Sequence, residues 1–119
     1  MLSGKSALIV EDAALIAVDI ETMLDELGVT RIITAGGGET ASPTQLGGEP
    51  FDLAVIDIRT AAALDGDLAG ELDRFEIPVV FLTTDPEGNG LPPFEGKHEV
   101  VVKPFTYEDM CAAIARLIS

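Results

Sequence analysis

The stretch HEVVVKPFTYEDM, residues 98–110, reads as a strand, a turn and a helix start in direct succession. Val100, Val101 and Val102 form a β-branched run, the composition of a strand buried on both faces. Thr106 is a good N-cap, and Glu108 and Asp109 fall in the first turn, where the helix dipole favours acids. Met110, Ile114, Leu117 and Ile118 then make one apolar stripe. A strand running straight into a helix is one half of a βαβ unit. Lys103 sits at the junction, where an amine is costly unless an anion meets it.

The same alternation extends upstream. SALIVE (6–11) is a short apolar run expected to be a strand, followed by Ile16, Ile20, Met23, Leu24 and Leu27 at helical spacing, with Gly28 as the stop. RIITA (31–35), FDLAVID (51–57), IPVVFLT (77–83) and HEVVV (98–102) are the remaining strands. The stretch 36–50 should hold a short or frayed helix, because it carries five glycines and two prolines. DGDLAGELDRF (65–75) reads as a short helix. TDPEGNGLPPFEGK (84–97) has six Pro or Gly and reads as a loop where the next helix would stand. The expected architecture is α/β: a doubly wound, five-stranded parallel sheet with right-handed crossovers and a fourth helix short or absent. Residues 1–119 are expected to form one domain.

Composition narrows the function. Apolar residues make up 47%, too many for a disordered chain, and no run approaches the ~20 apolar residues of a membrane span. The net charge of −14 argues against nucleic-acid partners, which call for a basic patch. Cys111 is the sole cysteine, so no internal disulfide forms, and a cytoplasmic location is expected. Cys111 itself reads as a small packed group, Phe81 and Phe105 as core, and His98 as a surface residue.

Ligands of doubly wound sheets sit at the carboxyl ends of the strands. Those ends carry Glu11 and Asp12, Asp57, Thr83 and Lys103. Three converging carboxylates repel one another, and a hard cation such as Mg²⁺ relieves that repulsion. An oriented Asp57 carboxylate is then a nucleophile for an activated phosphoryl group, with Lys103 neutralising charge and Thr83 offering a hydroxyl.

This constellation resembles the receiver (CheY-like) domain of two-component response regulators along the whole chain. The resemblance rests on LIVED (Glu11-Asp12), LAVIDI (Asp57), FLTT (Thr83) and VVKPF (Lys103-Pro104). It implies a flavodoxin-like sheet, Asp57 as phosphoacceptor, Thr83 as switch hydroxyl, and Mg²⁺ on Glu11, Asp12, Asp57 and the Arg59 carbonyl. It also implies a cis Lys103-Pro104 bond, a histidine kinase or histidine phosphotransfer protein as donor, and a downstream protein target. The chain is then a phosphoprotein of a phosphorelay and not an enzyme. FLTTDPEGNGLPP is similar to a subgroup, mostly stand-alone and alphaproteobacterial, with Phe-Ala-Thr-Gly and a Gly/Pro-rich segment in place of the fourth helix. Leu82 and Thr84 depart from that motif. Val100 stands where receivers carry an aromatic switch residue. Arg59 and Asp85, each two past a site residue, are expected to pair across the mouth of the site and slow attack by water.

Three other readings compete. Glu11 and Asp12 would serve only as helix caps in the first, and Thr83 only as a turn cap. A pseudo-receiver would act as an interaction module that never takes phosphate. A carboxylate-based phosphohydrolase resembling the haloacid-dehalogenase enzymes would need an acid where Arg59 stands.

Overall fold

The computed structural model describes residues 2–35, 51–59, 70, 72–87, 94 and 96–118. Five strands carry the fold: β1 (Ser6–Val10), β2 (Arg31–Ala35), β3 (Leu53–Asp57), β4 (Val79–Thr83) and β5 (His98–Val102). All pair in parallel in the order β2-β1-β3-β4-β5. The chain leaves β1 toward β2 on one side and returns to β3 on the other, so the order reverses between β1 and β3. Their carboxyl ends therefore frame the crevice in which doubly wound sheets bind.

Alternation along the strands divides the core in two. Ala7, Ile9, Leu53, Val55, Val80, Leu82 and Val101 pack beneath helices α1 (Ala14–Glu26) and α2 (Tyr107–Ile118). Leu8, Val10, Ala54, Ile56, Val79 and Phe81 face the other way, against Phe51, Leu72 and Ile77. Every residue of β3 and β4 is buried, as interior strands of a covered sheet require. The valine run in β5 misled on one point: β5 is an edge strand, and only Val101 is buried, while Val100 and Val102 stay half-buried. With no strand beyond it among the described residues, β5 lacks the cover that a central strand receives.

β3 and β4 each begin two residues later than the apolar runs suggest. Pro78 has no N–H for the ladder, although its carbonyl accepts from Ala54 N at 3.0 Å. Leu72, Asp73 and Arg74 are helical, and the rest of the helices expected in 36–50 and 65–75 lies outside the described residues. Thr84–Glu87 form a bend and a turn, as a loop reading requires; residues 88–93 and 95 lie outside the description.

Both helix ends follow their sequence signals. At the start of α2, Asp109 N donates to Thr106 Oγ1 (3.1 Å) and Thr106 N donates back to Asp109 Oδ2 (2.9 Å), a reciprocal capping box. At the end of α1, Val29 N donates to Leu24 O (3.1 Å) and Gly28 N to Asp25 O (3.0 Å), a Schellman closure. Gly28 has φ of 103°, and a Cβ there would lie 3.0 Å from Ser3 Cα. Gly28→Ala is therefore expected to lower stability by about 1–2 kcal/mol, read as an earlier denaturant midpoint with an unchanged slope.

Candidate functional site

Glu11, Asp57, Thr83 and Lys103 sit at or one residue past the carboxyl ends of β1, β3, β4 and β5, so parallel pairing alone brings them together. Glu11 is held in place by its backbone N–H, which donates to Ala35 O on β2 (3.1 Å). Lys103 is held the same way, its N–H reaching Thr83 O at 2.7 Å. The Lys103-Pro104 peptide bond is cis, as the resemblance implied.

Lys103 Nζ donates to Asp57 Oδ2 at 2.5 Å and to Glu11 Oε1 at 2.6 Å. Its side chain is 8% exposed, and those of Asp57 and Glu11 are 2% and 0% exposed. One ammonium thus bridges two carboxyl groups cut off from water. Asp57 is the partner expected of Lys103, and Glu11 is a second one that carries no sequence signal. The second oxygen of each acid is also engaged: Asp57 Oδ1 accepts from Arg59 N (2.9 Å), and Glu11 Oε2 from Ala13 N (3.3 Å).

Two acids cannot share one cation equally. Burial pushes the Glu11 carboxyl up, and the hydrogen bonds from Lys103 and Ala13 recover only part of that shift. Burial also acts against the charged form of Asp57, but the Lys103 ammonium, the Arg59 N–H and a hydrogen bond with Glu11 outweigh it and hold Asp57 below the usual aspartate range. Burial works against the Lys103 ammonium too, and the two carboxyl groups overcome it, raising its pKa. The environment thus separates the acids, with Asp57 the carboxylate and Glu11 the group that holds a proton more readily.

Asp12 completes the acidic set. It is exposed, and its carboxylate oxygen lies with those of Glu11 and Asp57 inside a 4.8 Å cluster. Three carboxylates so close, all hard oxygen donors, fit a divalent cation of the Mg²⁺ type. The helix-cap alternative accounts for part of the arrangement: Glu11 Oε2 takes the N–H of Ala13, the N-cap of α1, while the first turn itself carries no acid. Arg59 is exposed beside the cluster.

Thr83 is buried, and its Oγ1 accepts from Asp85 N at 3.0 Å. Thr83 therefore caps the turn, and accepting that bond leaves its O–H proton able to donate elsewhere. Arg59 and Asp85 form no ion pair among the described residues, contrary to expectation. The Asp85 carboxylate instead accepts from Glu87 N (2.9 Å), because the turn folds it back on its own backbone. Phe105, expected in the core, is half-buried. It lines a groove of about 390 Å³ with Ile16, Asp19, Met23, Arg59 and Lys103. Ile16 and Met23 belong to the apolar stripe of α1, so periodicity alone could not separate groove from core.

Neither a scan against protein-family models nor a search of curated proteins finds a match. Solved structures do. The PhyR stress response regulator is 32% identical over 97% of this chain and 45% of its own length, with a TM-score of 0.73. The chain is a CheY-like receiver domain. PhyR of Brucella abortus gives 26% identity over 98% of this chain and 48% of its own, with a TM-score of 0.73. The chain thus spans about half the length of these regulators. The receiver of the sensor histidine kinase PA1611 of Pseudomonas aeruginosa, solved with magnesium in its active-site cleft, shares the fold. It covers 98% of both chains at 24% identity, with a TM-score of 0.72. In this receiver, β1, β3, β4 and β5 supply the clustered site.

Proposed function

We propose that this receiver accepts a phosphoryl group on Asp57 from the phosphohistidine of a histidine kinase or phosphotransfer protein. The observation that carries the reading is the buried bridge of Lys103 to Asp57 and Glu11. In the transfer, an Asp57 carboxylate oxygen forms the new O–P bond as the N–P bond to the donor imidazole breaks. The imidazole leaves with the electron pair and takes up a proton from water. Arg59 N fixes Asp57 Oδ1. Lys103 holds Oδ2 before transfer and would neutralise the added phosphoryl charge after it, and the Thr83 hydroxyl would donate to a phosphoryl oxygen. Glu11, Asp12, Asp57 and the Arg59 carbonyl would hold Mg²⁺, which supplies further neutralisation of phosphoryl charge when bound. The groove beside Lys103, with Leu15 and Val18 exposed on α1, offers the donor protein an approach. The chain is then a cytoplasmic carrier and switch, not an enzyme with turnover, and it acts through a partner protein.

The test is incubation with acetyl phosphate, with Mg²⁺ or with chelator, read by intact mass. One phosphoryl group per chain, dependent on Mg²⁺, is the expected result, and an unmodified mass in both samples overturns the reading. A phosphorylation-independent interaction module is the second reading, favoured by Val100 at the position of the aromatic switch.

The pH dependence of cation binding follows from the acids. A cation must displace the proton that Glu11 holds above the usual glutamate range. The Mg²⁺-induced rise in melting temperature is therefore expected to shrink as pH falls from neutral toward that range. Thermal melts with and without Mg²⁺ at stepped pH check it.

A further inference from the structure

The mouth of the site is short of accessible positive charge. The chain carries 21 acids against 7 lysines and arginines. Two of those bases, Arg59 and Lys103, line the groove of about 390 Å³. Lys103 is 8% exposed and already committed to Asp57 and Glu11. Arg59 is exposed, and its guanidinium joins no ion pair among the described residues. Its backbone N–H fixes Asp57 Oδ1 at 2.9 Å, so the side chain is anchored beside the nucleophile.

The other charges nearby are negative. Asp12 and Asp19 are exposed, and Asp19 lines the same groove as Arg59. The Asp85 carboxylate is turned to Glu87 N and leaves Arg59 alone. A phosphoryl donor arriving as a dianion therefore meets a field of its own sign before it reaches Lys103. A guanidinium keeps its charge at every working pH, and its fork of N–H donors matches phosphate oxygens.

We infer that the Arg59 side chain captures the incoming phosphoryl group, drawing dianionic donors along the groove to Asp57 by its charge. This role rests on Asp57 being the phosphoacceptor. It is separate from the backbone N–H and carbonyl of residue 59, which a substituted side chain leaves in place.

The test uses acetyl phosphate as donor. A carboxylate oxygen of Asp57 forms the new O–P bond as the P–O bond to acetate breaks, and acetate leaves with the electron pair. The second-order rate of incorporation, read by intact mass at saturating Mg²⁺, is compared in wild type, Arg59→Lys, Arg59→Gln and Arg59→Glu. For a dianion about 6 Å from one positive charge, losing that charge slows capture roughly tenfold in dilute salt and less than about twofold in ~1 M KCl. Arg59→Lys should stay close to wild type, Arg59→Gln fall about tenfold and Arg59→Glu further, with the four rates converging in ~1 M KCl. A wild type that takes up phosphate no faster than Arg59→Gln overturns this role alone. So does a loss that persists in high salt or that lysine does not rescue, because either marks a structural effect at Asp57. A wild type that stays unmodified overturns the proposed function, and this role with it.

Discussion

Lys103→Met is expected to destabilise the chain by about 3–5 kcal/mol and to stop phosphoprotein from accumulating. The ammonium is the cation hydrogen-bonded to both Asp57 and Glu11, whose side chains are 2% and 0% exposed. Methionine keeps the length of the side chain and removes the charge, leaving two buried acids face to face. One of them then takes up a proton, and Glu11 is the one already biased to do so. The sign of the pH dependence follows. The Lys103 pKa is raised by folding, so its stabilisation is fully present below the ordinary lysine value and is lost as pH rises through the raised one. Wild type should therefore outlast Lys103→Met most clearly at neutral and mildly alkaline pH. Urea unfolding of both proteins across that range measures the gap. Mg²⁺ should restore part of the variant's stability, because a cation among the acids replaces the missing charge.

Asp57→Ala is expected to abolish phosphoryl incorporation while leaving a folded protein. The substitution removes one buried acid and leaves Lys103 with Glu11, a single pair in place of a three-group cluster. The burial that pushes Glu11 up remains, but Asp57, which also raises it, is gone. The Glu11 carboxyl should therefore titrate at lower pH in the variant, visible in side-chain carbon shifts across an acid titration. Unchanged Glu11 titration would show that the two acids are not coupled as their contacts imply.

Much of this arrangement is legible in the sequence, for definite reasons. Strand runs separated by helical spacing fix a parallel sheet, and parallel strands put all their carboxyl ends on one side. Residues as distant as Glu11 and Lys103 can then be placed together with no contact information. Thr106 and Gly28 mark helix ends through backbone chemistry that operates within a few residues. Other features depend on neighbours that local pattern does not contain. The valine run in β5 looks like a central strand, yet strand order leaves it at the edge with Val100 and Val102 half-buried. The division of Lys103 between two acids reflects strand order, with β1 beside β3 and β5 one strand further on beyond β4, which periodicity does not encode. The failed Arg59–Asp85 pair has a local cause of another kind, since the Asp85 carboxylate was already taken by the turn it begins.

The central claim is that Asp57 is the nucleophile of a charge-neutralised cluster. Proteolysis and fragment mass analysis of the chain after treatment with acetyl phosphate and Mg²⁺ tests it most directly. The account places the phosphoryl group on the peptide containing Asp57, and modification of any other residue, or of none, would contradict it.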